Sequence, residues 1–196
     1  MSSRERILAA VRQNKPEFQP LPETATFQAD YPDLVAKFSE MLRFIGGTPV
    51  VVANFGEAET YIRQTYGDLS NIVSKVPALD HLATATADVE DPHRLEAVDL
   101  AIIQGVLGVA ENSAIWVPEE RGGHRVLPFI CQHLVLLLPT TALVPNMHDA
   151  YDRLNVGESG FGAFIAGPSK TADIEQALVI GAHGARSLSV VLVQNS

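Results

Sequence analysis

Val, Leu and Ile gather along this chain into short uninterrupted runs instead of alternating with polar residues. "TPVVVA" (48–53), "NIVS" (71–74), "AVDLAIIQG" (97–105), "AIWVP" (114–118), "HLVLLLP" (133–139), "GAFIAG" (162–167) and "SLSVVLV" (187–193) each read as a strand. Runs of this kind belong to strands covered on both faces, the habit of parallel sheets. Between them the apolar spacing changes to that of a helix. Leu34, Val35, Phe38, Met41, Leu42 and Ile45 make one face over 32–45, ended by Gly46-Gly47, and "GEAETYIRQTY" (56–66) makes a second helix. After "FIAGPSKT", the spacing of Ala172, Ile174, Ala177, Leu178, Ile180 and Gly181 predicts a further helix. The alternation points to an α/β protein, a three-layer α/β/α sandwich with a largely parallel sheet.

Two stretches depart from this pattern. Ile7, Leu8 and Val11, on a segment opened by Ser2 or Ser3, predict a short amphipathic helix that packs outside the main domain or on a partner. The four prolines of "NKPEFQPLPETATFQADYP" then read as an extended linker, so residues 1–30 are expected to form a helical extension and 31–196 a single α/β domain. The second departure lies between 105 and 133, where Gly, Glu, Asn, Arg and His crowd together with little helical pattern. Long irregular segments in α/β domains are often functional. A surface β-excursion with a solvated tip at Glu119, Glu120 and Arg121 fits equally well.

Charge and composition narrow the classes of partner. Against 14 Lys and Arg stand 23 Asp and Glu, a formal charge of −9, which disfavours nucleic acid while leaving room for one small bound anion. "HLVLLLP" is far short of the roughly 20 residues of a membrane span, and the first residues lack a signal-peptide core, so a cytoplasmic protein without membrane insertion is expected. Cys131 is the only cysteine. It permits no internal disulfide and no cluster held by four cysteines of one chain, so any redox chemistry requires a partner to carry the electrons. Its place at the start of an apolar run suits an inert packed thiol.

The chemistry-bearing residues fall in three places. At the predicted strand-to-helix junction, Gly167, Ser169, Lys170 and Thr171 would offer helix-start N–H groups, hydroxyls and an ammonium to a phosphate or carboxylate; simple helix capping is the alternative. Neither a triphosphate loop nor a dinucleotide fingerprint fits, since Pro168 stands where the first needs Lys and "GFGAFI" lacks the third glycine of the second. In "GVAENSAIWVP", Glu111 is a candidate nucleophile or base with Asn112 beside it, or else one half of a turn cap. Arg125 and His183 are possible additions to a site, although a loop entering a strand at "GAHGAR" is expected to lie opposite a strand-end crevice and away from Thr171. The six histidines show no metal-ligand spacing, and no metal is expected.

"GPSKTADIEQALVIGAHGARSLSVVLV", preceded by "GVAENSAIWV" and "LPFICQHLVLLLP", resembles the lactate-utilisation (LUD) domain family, most closely over residues 98–193. The resemblance implies a fold similar to ribose-phosphate isomerases and CoA transferases. It also implies a place in cytoplasmic oxidation of L-lactate to pyruvate, with iron–sulfur proteins as partners and no intrinsic cofactor in this chain. Where the family usually shows Ala-Glu-Thr-Gly-Thr, this chain has Ala110-Glu111-Asn112-Ser113-Ala114. The same turn resembles the one that carries the glutamate nucleophile of CoA transferases. Two functions follow: a non-redox accessory component that binds partners or a small carboxylate, or an acyl-transfer or isomerase-like enzyme centred on Glu111.

Overall fold

The structure, a computed structural model, describes residues 2–20, 29–155, 157, 160–172, 178–181 and 183–195. Helix α1 (Ser3–Gln13) is followed by α2 (Leu34–Phe44), β1 (Thr48–Val52), α3 (Phe55–Tyr66), β2 (Ile72–Ser74), β3 (Leu100–Gln104), β4 (Leu107–Val109) and β5 (Ile115–Pro118). One-turn helices α4 (Glu119–Gly122) and α5 (Leu127–Ile130) precede β6 (His133–Pro139), β7 (Leu143–Val144) and α6 (Met147–Arg153). Strands β8 (Gly162–Ile165), β9 (Lys170–Ala172), β10 (Leu178–Ile180) and β11 (Ser187–Val193) follow.

Five of the apolar runs form one parallel sheet in the order β1-β11-β6-β3-β2. Because consecutive side chains point to opposite faces, each run feeds two cores. Val135, Leu137, Leu100, Ile102 and Val191 face Ala58, Ile62 and Tyr66 of α3 and a 3-10 turn at Pro77–Leu82. Leu134, Leu136, Leu138, Ile103 and Val190 face Phe38 and Leu42 of α2 together with Ile115, Val117 and Leu143. The expected sandwich is therefore present, with one outer layer shared between α2 and a second sheet. That sheet, β7-β4-β5-β8, takes in "AIWVP" and "GAFIAG", which pair antiparallel with each other. Its far side packs Trp116, Val109 and Val144 against Ala150 of α6.

Where a helix was expected over 172–181, the described residues Ala172 and Leu178–Ile180 lie in strands. Lys170↔Ile180 and Ala172↔Leu178 pair antiparallel as β9 and β10, while residues 173–177 lie outside the described residues. The spacing was ambiguous: Ala172 and Ile174, like Leu178 and Ile180, are two apart, and the β-branched Val179-Ile180 favours a strand. The other predicted helices hold, each with a side-chain cap. Ser2 and Glu5 form a reciprocal box on α1, Asp33 accepts from Ala36 N at 3.0 Å, and Asn54 accepts from Glu57 N at 3.1 Å. α2 stops where Gly46 adopts φ +88° and the Gly47 N–H returns to the Leu42 carbonyl at 2.8 Å.

A polar patch interrupts the α3 side of the sheet at its amino end. Ser189, 2% exposed, meets the hydroxyls of Tyr61 and Tyr66, each at 2.8 Å, and His133 Nδ1 lies 2.7 Å from Ser187 Oγ under the Tyr66 ring. Burial holds His133 below the usual histidine range; the nearby Arg186 charge adds to this and Asp99 opposes it. The folded state therefore binds this proton less readily than the unfolded chain. The stabilisation is fully present above the unfolded histidine pKa and is lost as pH falls toward the folded one. Denaturant titrations across that acidic window should show stability falling with pH, and His133→Asn should flatten this contribution.

Candidate functional site

Ile165 ends β8, and the chain then turns through Ala166-Gly167-Pro168 against the C-terminal end of α2. Gly167 takes φ +75°, and a Cβ there would stand 3.1 Å from the Ile45 carbonyl and side chain, so the close approach requires glycine. Ser169 then ties two segments together: its N–H donates to the Ala185 carbonyl at 2.8 Å, and its own carbonyl accepts from Gly181 N–H at 3.1 Å. Gly184 stacks on it, with the Ser169 Cβ and Oγ at 3.1 and 3.3 Å from the position of a Gly184 Cβ. A third wall comes from α5, whose Pro128 is buried while Phe129 is 41% exposed.

These segments enclose a pocket of about 380 Å³. Its walls are Phe129, Leu134, Phe164 and Ile165, and its polar groups come from Ser169, Lys170 and His183. The Lys170 ammonium also stands at the C-terminal end of α2, 3.7 Å from where a Gly46 Cβ would lie, a favourable place for a cation beside the helix dipole. A hydroxyl, an ammonium and an imidazole around an apolar hollow suit a small organic acid, with the carbon skeleton against the rings and the carboxylate toward the polar rim.

Of the anion-binding candidates, Gly167, Ser169 and Lys170 line this pocket, on a different footing from the one expected. Lys170 opens β9 and Ser169 immediately precedes it, so the two stand at the start of a strand and not of a helix. Thr171 lies in β9. His183, expected to lie apart, lines the same pocket as Ser169 and Lys170. The loop before β11 does sit at the amino end of the parallel sheet, beside Leu134 at the start of β6. Ser169 reaches it because β8 belongs to the second sheet.

Glu111, Asn112 and Arg125 lie outside this pocket's lining. Glu111 Oε1 accepts from Met147 N–H at 2.8 Å, capping the first turn of α6, while the Glu111 N–H donates to the Pro145 carbonyl at 3.1 Å. Asn112 Oδ1 accepts from Ala114 N–H at 2.9 Å, and between them the fully buried Ser113 takes φ 54° where the family pattern has glycine. Arg125 holds both carboxylate oxygens of Glu119 at 2.7 and 3.0 Å, with its guanidinium 5.1 Å from the Phe161 ring centre. It flanks a narrow cleft that shares Pro128 and Phe129 with the pocket. Cys131 is 1% exposed, and burial pushes its thiol up to about 12, which leaves it protonated at neutral pH.

Phe129, Phe164 and Gly184 were not singled out from sequence as site residues. Gly184 has a signal in "GAHG", whereas Phe164 falls within a run that reads as a strand and Phe129 lies in the irregular stretch 105–133. Among the described residues, no three His, Cys, Asp or Glu side chains are placed to hold a metal ion, and no helix is long and apolar enough to cross a membrane.

The model of the LUD domain family matches residues 71–193. "Lactate utilization protein C" of Bacillus pumilus is 35% identical over 107 residues, 51% of this chain and 45% of that protein. The Bacillus velezensis protein of the same name is 26% identical over 163 residues, 80% of this chain and 66% of its own length. That of Anoxybacillus flavithermus is 26% identical over 76% of this chain and 64% of that protein. The chain thus spans about half to two thirds of the length of these relatives. The crystal structure of a DUF162 family protein from Deinococcus radiodurans shares the fold, with a TM-score of 0.65 at 15% identity, covering 82% of this chain and 96% of the other.

Proposed function

The chain belongs to the LUD domain family, and from that premise we propose that it is a non-redox accessory component of L-lactate utilisation that binds a small carboxylate. In this reading it is cytoplasmic, residues 31–196 form the LUD-like body, and iron–sulfur partner proteins carry the electrons from lactate to pyruvate. The relatives named for lactate utilisation support the pathway. The single buried Cys131 supports leaving the electrons to partners.

The observation that carries the carboxylate reading is the meeting of Ser169, Lys170 and His183 around one pocket with phenylalanine walls. The pocket is large enough for a two- to four-carbon acid, and Lys170 supplies the charge. Acyl transfer centred on Glu111 receives no such support, because that carboxylate is engaged with the Met147 N–H. Titration calorimetry with lactate and pyruvate tests the proposal. Lys170→Ala should weaken binding by about 1–2 kcal/mol, the worth of a charge-assisted contact. Because Lys170 also faces the end of α2, a thermal melt of the variant must accompany the titration. Unchanged affinity in a folded variant would leave the turn a structural tie only.

A further inference from the structure

Helix α1 is complete, with a reciprocal cap at its start and the Asn14 N–H returning to the Ala10 carbonyl at its end, yet it buries none of its residues. Ile7, Leu8 and Val11 are 63%, 38% and 55% exposed and, at helical spacing, share one face. Around that stripe stand Arg4, Arg6, Arg12 and Lys15 against a single acid, Glu5, so residues 1–16 carry +3. The remaining residues carry 10 basic and 22 acidic side chains, or −12. The acids are densest over 80–99, where six stand against the single Arg94, and Asp88, Glu90, Asp91 and Glu96 are all exposed.

We propose that α1 is a docking arm whose apolar stripe and arginines seat on the acidic strip 80–99 of a second copy of this chain. The charges decide the occupant. Pairing α1 with another α1 would bring like charges together, and laying it on an anionic membrane would draw a body of −12 toward a negative surface. The acidic strip offers the opposite sign, and an exchange of arms about a two-fold axis makes the contact twice. The carboxylate pocket takes no part in this inference, so the two readings fail separately.

Sedimentation velocity of the full chain provides the test. A dimer is expected at about 50 mM salt, with its dissociation constant at least about tenfold higher at about 500 mM, because exposed charges are screened. Leu8→Asp, and the double change Arg4→Glu with Arg12→Glu, should each give a monomer; both lie outside the core, and circular dichroism confirms that the body is folded. Mixing the Arg-reversed chain with one bearing Glu90→Lys and Glu96→Lys should restore a heterodimer. A monomer at about 50 mM salt overturns the proposal, as does a dimer indifferent to Leu8→Asp. Co-sedimentation with phosphatidylserine vesicles in place of self-association overturns it too, and would assign α1 to a lipid surface.

Discussion

Leu136→Ala is expected to lower the free energy of unfolding by about 2–5 kcal/mol, the range for deleting a fully buried leucine. Leu136 sits in the middle of β6, flanked in register by Val190 of β11 and Ile103 of β3, and none of its surface is exposed. Leu134 and Leu138 share its face, with Phe38 and Leu42 in the same core. Strands on both sides keep the backbone from collapsing into the space, so the cost includes a cavity as well as lost transfer energy. A urea titration reads it directly. Phe18→Ala, at a side chain 90% exposed, should change stability by no more than about 0.5 kcal/mol. A loss below about 1 kcal/mol for Leu136→Ala would mean that the sheet closes around the gap.

Gly162→Ala should be nearly as damaging for the opposite reason. A Cβ at Gly162 would stand 2.3 Å from Trp116 Cζ2 and 2.6 Å from Cη2, well inside contact distance. The indole is only 6% exposed and lies against Phe164 with ring centres 4.9 Å apart, so it has little room to retreat. Overpacking of this kind costs about 1–3 kcal/mol. Trp116 is the only tryptophan, so its emission reports the displacement without interference. Phe164 and Ile165 of β8 and Ala166 just after it line the pocket proposed to hold a carboxylate, and under that proposal the same change should weaken lactate binding although it touches no polar group there. An unshifted emission spectrum with full stability would sink this expectation.

The parts of the fold legible in sequence were those in which one local property decided the outcome. Three unbroken Val, Leu and Ile runs form β3, β6 and β11 because central parallel strands bury both faces, whereas the run at β1 lies on the sheet edge with Thr48 and Val51 exposed. "AIWVP" and "GAFIAG" were recognised as strands, but nothing in their composition says which of two sheets takes them. The short β4 and β7 were missed, as two- and three-residue strands carry too little pattern. At the site, Ser169, Lys170 and His183 were named from chemistry, and their sharing of one pocket was not foreseen. That depends on the Ser169 to Ala185 hydrogen bond, a contact between segments 16 residues apart that no local period encodes.

The position of β11 bears on how the protein is made. β1 has a single neighbour in the sheet, and that neighbour is β11: Thr48 pairs with Ser189, roughly 140 residues later. At a synthesis rate of about 5–20 residues per second, β1 waits on the order of 10 s on the ribosome before its partner exists. Throughout that interval Val50, Val51 and Val52 present an unpaired strand, the form most open to pairing with the wrong chain. Pro49, second in the strand, has no N–H to offer a stranger, and β11 tolerates it in the finished sheet. The proline thus guards the nascent chain during the one period when β1 has no legitimate partner.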